Sequence, residues 1–347
     1  MNIAIRVDSS IKIGTGHVMR CLTLAKQLTK KHHSVEFICR KAIGSVEGLI
    51  EEKGFIVNLL PEITKDLWEW TSDNWKEDFF QSSIYLDLRN IDLIIVDHYS
   101  IDYKWERAIR GIIPKLMVID DLANRKHECD ILLDHNFYKD MNTRYQNLVG
   151  EKTRLLLGPN FALLREEFFM KYSQTNHKQI LISFGGSDPT NETLKILNIV
   201  KILPENYRFK IILGTSNPNK QEIVEIVEKH SNFRLLINID NMAEEINNSL
   251  FVIGAGGISA LERVILNKPS LVISVADNQV EIIKNFAEKG VIKYIGDSSE
   301  NYDENLLYSI QILASDNHTL KEMIGNMKNI KINNDIQNIV RIIEELK

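Results

Sequence analysis

Short apolar runs recur along the chain with segments of helical period between them, and this alternation restricts the fold more than any single motif does. Ile3–Val7, Val35–Cys39, Ile56–Leu60, Leu93–Val96, Leu116–Ile119 and Ile131–Leu133 read as strands buried on both faces, the pattern of a parallel sheet covered by helices. After the first run, Val18, Cys21, Leu22, Ala25 and Leu28 follow the i, i+3, i+4, i+7 spacing of a helix with one buried stripe, and a second helix is expected over 46–53. The polar and aromatic stretch between Leu60 and Asn90, with Trp68, Trp70 and Trp75, reads as one or two helices outside the first sheet. Following LLLGPNFALLREEF the alternation begins again. Strands are expected at Gln179–Phe184, Phe209–Leu213, Phe233–Ile237, Phe251–Ile253 and Ser270–Ile273, with helices near 191–202, 219–230, 242–248 and 259–266. The fold class is α/β: two Rossmann-like doubly wound domains facing a cleft, over 1–157 and 178–347, with a linker at 158–177. Ligands in such folds bind beyond the carboxyl ends of the strands, so chemistry is sought in the loops there.

A length of 347 residues is enough for two cores. A net charge of −5 supplies no basic field, which speaks against nucleic acid and anionic membrane as partners. Cys21, Cys39 and Cys129 are odd in number and far apart, so neither a disulfide framework nor a thiolate zinc site is expected. With Arg6 and Asp8 inside the first apolar run, neither a signal peptide nor a membrane span is expected there, and the expected location is the cytoplasm. No metal and no cofactor is expected. Asp120 and Asp121 stand side by side without further ligands at metal spacing, and neither H-E-x-x-H nor G-x-S-x-G occurs. His32 and His33 are placed at a solvated helix end.

Three loops carry candidate chemistry. In IGTGHVMR, Gly14, Thr15 and Gly16 form a turn between a strand and a helix, where backbone amides can approach an anion. The dinucleotide fingerprint wants a third glycine where Met19 stands; Arg40 after the second strand leaves an NADP reading open. His17 falls in the first helical turn, whose positive end disfavours imidazolium, so a neutral ring that accepts a proton is one reading and a locally packed or capping ring the other. Arg20, one turn on, reads as a surface or salt-bridge residue with Asp8 as a partner. In GAGGISALER, amides at Gly256, Gly257, Ile258 and Ser259 could hold a diphosphate, while Glu262 either accepts from a diol such as ribose or merely complements the dipole of a helix in whose first turn it is placed. Gly185, Gly186 and Ser187 of GGSD form another turn at a strand end. Asn278 and Gln279 in SVADNQ are either sugar-binding amides or helix caps.

Together RVDSSIKIGTGHVMRCLTLA, VDHYSID, IDDLANRKHECDILLDHN, LLGPNFALLREEF, ISFGGSD and GAGGISALER...ADNQ resemble the UDP-sugar hydrolases of pseudaminic acid biosynthesis, PseG, and the related spore coat polysaccharide protein SpsG. The resemblance implies a GT-B fold like that of MurG. It also implies metal-free, inverting removal of UDP from UDP-2,4-diacetamido-2,4,6-trideoxy-β-L-altropyranose by water. His17 would be the general base, Tyr99 and Asn278 would meet the sugar, Glu262 would hold the ribose, and the backbone around Ile239 and Met242 would meet the uracil. The stretch from about 62 to 90 and the tail beyond about 320 are longer than in compact members of that family, and a MurG-like transferase or an enzyme for another nucleotide sugar is the alternative.

Overall fold

The structure, a computed structural model, describes all residues except 89, 174–177, 215, 216, 331, 333–335 and 347. They form two compact units, Met1–Leu163 with the C-terminal segment, and Leu164–Ile332. The first unit runs β1 (Asn2–Val7), α1 (Gly16–Lys30), β2 (Ser34–Arg40), α2 (Glu47–Glu52), β3 (Ile56–Leu60), α3 (Leu67–Asp73), α4 (Trp75–Leu88), β4 (Leu93–Asp97), α5 (Tyr103–Ile109), β5 (Lys115–Ile119), β6 (Ile131–Asp134) and β7 (Arg154–Leu157). Its strands make one parallel sheet in the order β3-β2-β1-β4-β5-β6-β7. Leu93 to Asp97 are all buried because helices cover both faces of the sheet, which is why β4 reads as an unbroken apolar run.

The second unit runs β8 (Gln179–Ser183), α6 (Glu192–Val200), β9 (Arg208–Leu213), α7 (Lys220–Glu228), β10 (Phe233–Ile237), α8 (Met242–Asn247), β11 (Val252–Ala255), α9 (Ile258–Ile265), β12 (Ser270–Ser274), α10 (Asp277–Glu288), β13 (Lys293–Asp297), α11 (Asp303–Ser315) and α12 (Asn317–Asn329). Its parallel sheet has the order β10-β9-β8-β11-β12-β13. In each unit the strand order turns back beside the first strand, between β1 and β4 and between β8 and β11. Such a switch point, where adjacent loops leave in opposite directions, is where doubly wound sheets take ligands.

Several expectations need revision. The second domain was expected to reach 347, yet the last helix, α13 (Ile336–Glu344), buries Ile336, Ile339, Val340, Ile342 and Ile343 in the first unit's core beside Val18, Leu22 and Leu28. Burying such side chains is worth about 1.5–3 kcal/mol each, and an apolar stripe shows that a helix must dock without showing where. His33, expected at a solvated end, is buried with its Nε2 3.1 Å from Glu344 of that helix. Within the expected linker, residues up to Leu163 belong to the first unit and Leu164 onward to the second, while 174–177 lie outside the described residues. Strands β7 and β13 were not anticipated: RLLL is short and partly exposed, and KYIGD carries polar residues and a register shift opposite Val272 and Ile273. The 62–90 stretch forms two helices, pinned by buried Leu67, Thr71, Asp78 and Ser82. Among the described residues no helix is long and apolar enough to cross a membrane.

Candidate active site

The turn after β1 lifts the chain through Gly14 and Thr15 into α1, which starts at Gly16 without a side-chain cap. This start puts His17, 9% exposed, over the carboxyl end of β4, because β1 and β4 are neighbours with Val7 opposite Asp97. His17 Nδ1 lies 2.6 Å from Asp97 Oδ1. So short an approach to a carboxylate requires a proton between them, so Nδ1–H donates to Asp97, and in the neutral ring the lone pair falls on Nε2. Arg20 donates to the same carboxylate through Nε and Nη2, both at 2.6 Å, and through Nη1 to Asp121 at 2.9 Å. The Cys21 thiol points at Asp97 from 3.4 Å.

Arg20 is therefore buried, 5% exposed, and its partners are Asp97 and Asp121 rather than the expected Asp8. Asp8 is taken by Arg6, by His98 Nε2 at 3.1 Å and by the Arg40 backbone amide at 2.7 Å. Burial alone would raise the Asp97 carboxyl, but Arg20 and then His17 hold it well below the usual carboxylate range. Tyr99, two residues beyond β4, sets its ring edge-on to His17 with centroids 4.5 Å apart. Burial pushes its phenol well above the ordinary value, and a hydrogen bond to Asp121 adds to the shift. His135, directly after β6, is buried near Arg20 and Asp121. Burial, with Arg20, lowers it to about 4, so it stands neutral.

Of this cluster the sequence singles out His17, Arg20 and, through the resemblance, Tyr99, but not Asp97, Asp121 or His135 as site residues. Each stands at or just after the carboxyl end of a strand, in VDHYS, IDDLAN and LLDHN, and that position was the available signal.

In the second unit β11 ends in Ala255, and Gly256 and Gly257 lead into α9. Gly257 has φ 68° and ψ −149°, a conformation that L side chains rarely adopt, and a Cβ on Gly256 would lie 2.6 Å from Ile283 Cδ1. As at any helix start, the first amides, here of Ile258 and Ser259, have no acceptor within the helix. Gly256 is different. Its amide donates to Gln279 Oε1 at 3.2 Å, and Val275 donates to the same oxygen at 3.3 Å, so Gln279 ties two strand-end loops together instead of offering that oxygen to a ligand. Gln279 and Asn278 lie in the first turn of α10. In GGSD the start of α6 is closed by Asp188, whose carboxylate accepts from the amides of Glu192 and Thr193 at 2.9 Å each, leaving Gly185, Gly186 and Ser187 as the turn after β8.

Glu262 sits in the second turn of α9, not the first, which removes the dipole-complementing role considered for it. Burial pushes its carboxyl up to about 7, with Arg165 and Arg263 opposing the shift. Arg165 Nη1 pairs with Glu167 at 2.6 Å and Nη2 reaches Glu262 at 3.8 Å, while Glu167 also accepts from the Ala243 amide at 3.1 Å in the first turn of α8. Arg165 thus links Glu262 to the helix start that follows Ile239 and carries Met242. It too was missed: the charged LREEF was read only as part of a linker. Among the described residues, no three His, Cys, Asp or Glu groups are placed to hold a metal ion.

Comparison with known proteins adds lineage to this geometry. Residues 180–339 match the glycosyltransferase family 28 C-terminal domain. A UDP-2,4-diacetamido-2,4,6-trideoxy-β-L-altropyranose hydrolase from Campylobacter jejuni is 30% identical over 295 residues, 84% of this chain and 97% of that protein. The spore coat polysaccharide biosynthesis protein SpsG of Bacillus subtilis is 23% identical over 325 residues, covering 91% and 89% of the two chains. Among solved structures, Acinetobacter baumannii MurG superposes with a TM-score of 0.66 at 14% identity over 99% of this chain and 100% of its own, a likeness of fold.

Proposed function

The chain belongs to the PseG and SpsG family of GT-B proteins, and on that premise we propose that it is an enzyme that hydrolyses a UDP-sugar at the anomeric C–O bond, with inversion and without a metal. The substrate proposed first is UDP-2,4-diacetamido-2,4,6-trideoxy-β-L-altropyranose, on the strength of the relative from C. jejuni. The observation that carries the reading is the 2.6 Å hydrogen bond from His17 to Asp97, which fixes the tautomer and leaves Nε2 as proton acceptor.

In the proposed step a water oxygen bonds to the anomeric carbon, its proton passes to His17 Nε2, and the C–O bond breaks with its electron pair going to the diphosphate. Asp97 stabilises the imidazolium as it forms, and such general base catalysis contributes typically about 10²–10⁴-fold. The start of α9 stabilises the charge that grows on UDP, with the Ile258 and Ser259 amides as donors. Glu262 holds the ribose, supported by Arg165, and the backbone at Ile239 and Met242 meets the uracil. The water is proposed to attack on the face opposite the leaving group, so that the product is inverted; a retaining enzyme would need a carboxylate nucleophile at the anomeric carbon.

A second reading, transfer of the sugar to an acceptor other than water, is favoured by the match of residues 180–339 to a glycosyltransferase domain. Incubation with UDP-sugar and no acceptor separates the two. Steady release of UDP supports hydrolysis, and release that begins only when a sugar acceptor is added refutes it. The same assay run over candidate UDP-sugars ranks the substrate, and a different nucleotide sugar turned over faster would replace the altropyranose.

A further inference from the structure

Four tryptophans occur in the chain, and three have a structural task. Trp105 is fully buried and donates its Nε1–H to Asp78 at 3.1 Å. Trp75 packs against the core formed with Leu86, Ile94 and Val118. Trp70 lies over the guanidinium of buried Arg40, with 4.2 Å between them, and so covers a cation that also pairs with Asp78.

Trp68 is the remaining one. Its helix, α3, is anchored without it, by buried Leu67 and Thr71 and by Asp66, which caps the helix at the Glu69 amide and pairs with Lys12 of the loop leading to His17. The indole is only half-buried, and its ring lies 5.3 Å from Tyr99, tilted by 43°. Tyr99 in turn is edge-on to His17, so three rings stand in a row beginning at the proposed base. The polar end of Tyr99 is engaged by Asp121, which leaves its ring to the wall.

We propose that Trp68 determines sugar specificity: with Tyr99 it forms an apolar wall beside His17 that receives the C–H face and the 6-methyl edge of a 6-deoxy acetamido sugar. The proposal rests on the hydrolase reading above. Aromatic faces attract C–H groups and offer no acceptor to a hydroxyl, so a 6-hydroxy sugar would bring to this wall a polar group without a partner. Discrimination by an apolar surface of this kind reaches roughly ten- to a hundredfold.

The test measures UDP release from a 6-deoxy diacetamido UDP-sugar and from its 6-hydroxy counterpart, together with UDP affinity, for the wild type, Trp68→Phe and Trp68→Ala. The wild type is expected to favour the deoxy sugar in kcat/KM, and Trp68→Phe to retain most of that preference. Trp68→Ala should raise KM for the deoxy sugar by roughly tenfold, with a smaller fall in kcat, and should flatten the preference while UDP affinity stays the same. Wild-type turnover combined with an unchanged preference and KM in Trp68→Ala overturns the proposal. So does a loss of kcat and UDP affinity in both variants, which is the signature of a structural role. A wild type that releases UDP from neither sugar overturns the hydrolase reading and this inference with it.

Discussion

The two switch points of the molecule share one topology and differ in chemistry. Beside the ends of β1 and β4, Asp97 of β4 and Asp121 beyond β5 meet Arg20 and His17 of α1 in a buried polar set in which nearly every polar atom is engaged by another side chain. Between β8 and β11 the corresponding place holds two glycines and a helix start, with Glu262 and Arg165 as the nearby charges. On the proposed reading the first arrangement orients a proton acceptor, and the second offers backbone amides to an anion. A doubly wound sheet thus supplies a position rather than an activity, and the residue types placed at the switch point decide whether it moves a proton or holds a nucleotide.

The contrast is broken most severely by removing the base. His17→Phe is expected to lower UDP release by about 10²–10⁴-fold while UDP affinity by calorimetry stays within a few-fold of wild type. Equal loss of both would make His17 a structural residue. Asp97→Asn should cost about as much activity through the misoriented ring, and it also leaves Arg20 with one carboxylate fewer, a loss of stability on the order of 3–5 kcal/mol that thermal unfolding would read. The converse substitution, Gly257→Ala, should act on the nucleotide side. Backbone strain of about 1–3 kcal/mol at that φ would weaken UDP binding by roughly ten- to a hundredfold and leave turnover of bound substrate far less affected. A fall in kcat as large as the rise in KM would show that the two switch points are not separable in function.

The smallest effect expected is a dependence on pH. Burial holds Glu262 at about 7 instead of the ordinary 4.5. Between those values the folded protein keeps a proton that the unfolded chain has lost, so this carboxyl erodes stability as pH rises through the window and contributes no further loss above it. If the ionised form accepts from the ribose, UDP affinity should rise a few-fold between pH 6 and pH 8. Glu262→Gln should abolish both slopes, and a persisting affinity slope in that variant would assign it elsewhere. Asp97 stays ionised across this range and adds no slope of its own.

How much of this was legible in the sequence follows from the range of each interaction. The buried strands and the glycine turns are local signals, readable from a few consecutive residues, and the 3.6-residue period placed His17 on the first turn of α1. Asp97 lies 80 residues from His17, and Asp121 lies 101 from Arg20. No local pattern encodes such pairing; strand order does, and only once β4 and β5 are known to follow β1 across the sheet. The same limit explains α13, whose stripe declares a buried face but not the unit that receives it, and Arg165, whose partner Glu262 comes from a distant helix. Edge strands β7 and β13 escaped because a strand with an exposed side or a register shift lacks the unbroken apolar run that marks the central ones.

The central claim is that water attacks the anomeric carbon of a UDP-sugar with His17 as the base. Mass spectrometry of the UDP formed from UDP-sugar alone in ¹⁸O-labelled water addresses it most directly, followed alongside by NMR of the fresh sugar product. Unlabelled UDP and a sugar of inverted anomeric configuration are expected, with both signals lost in His17→Phe. Label in the UDP would mean attack at phosphorus, and either that result or a product of retained configuration would contradict the account.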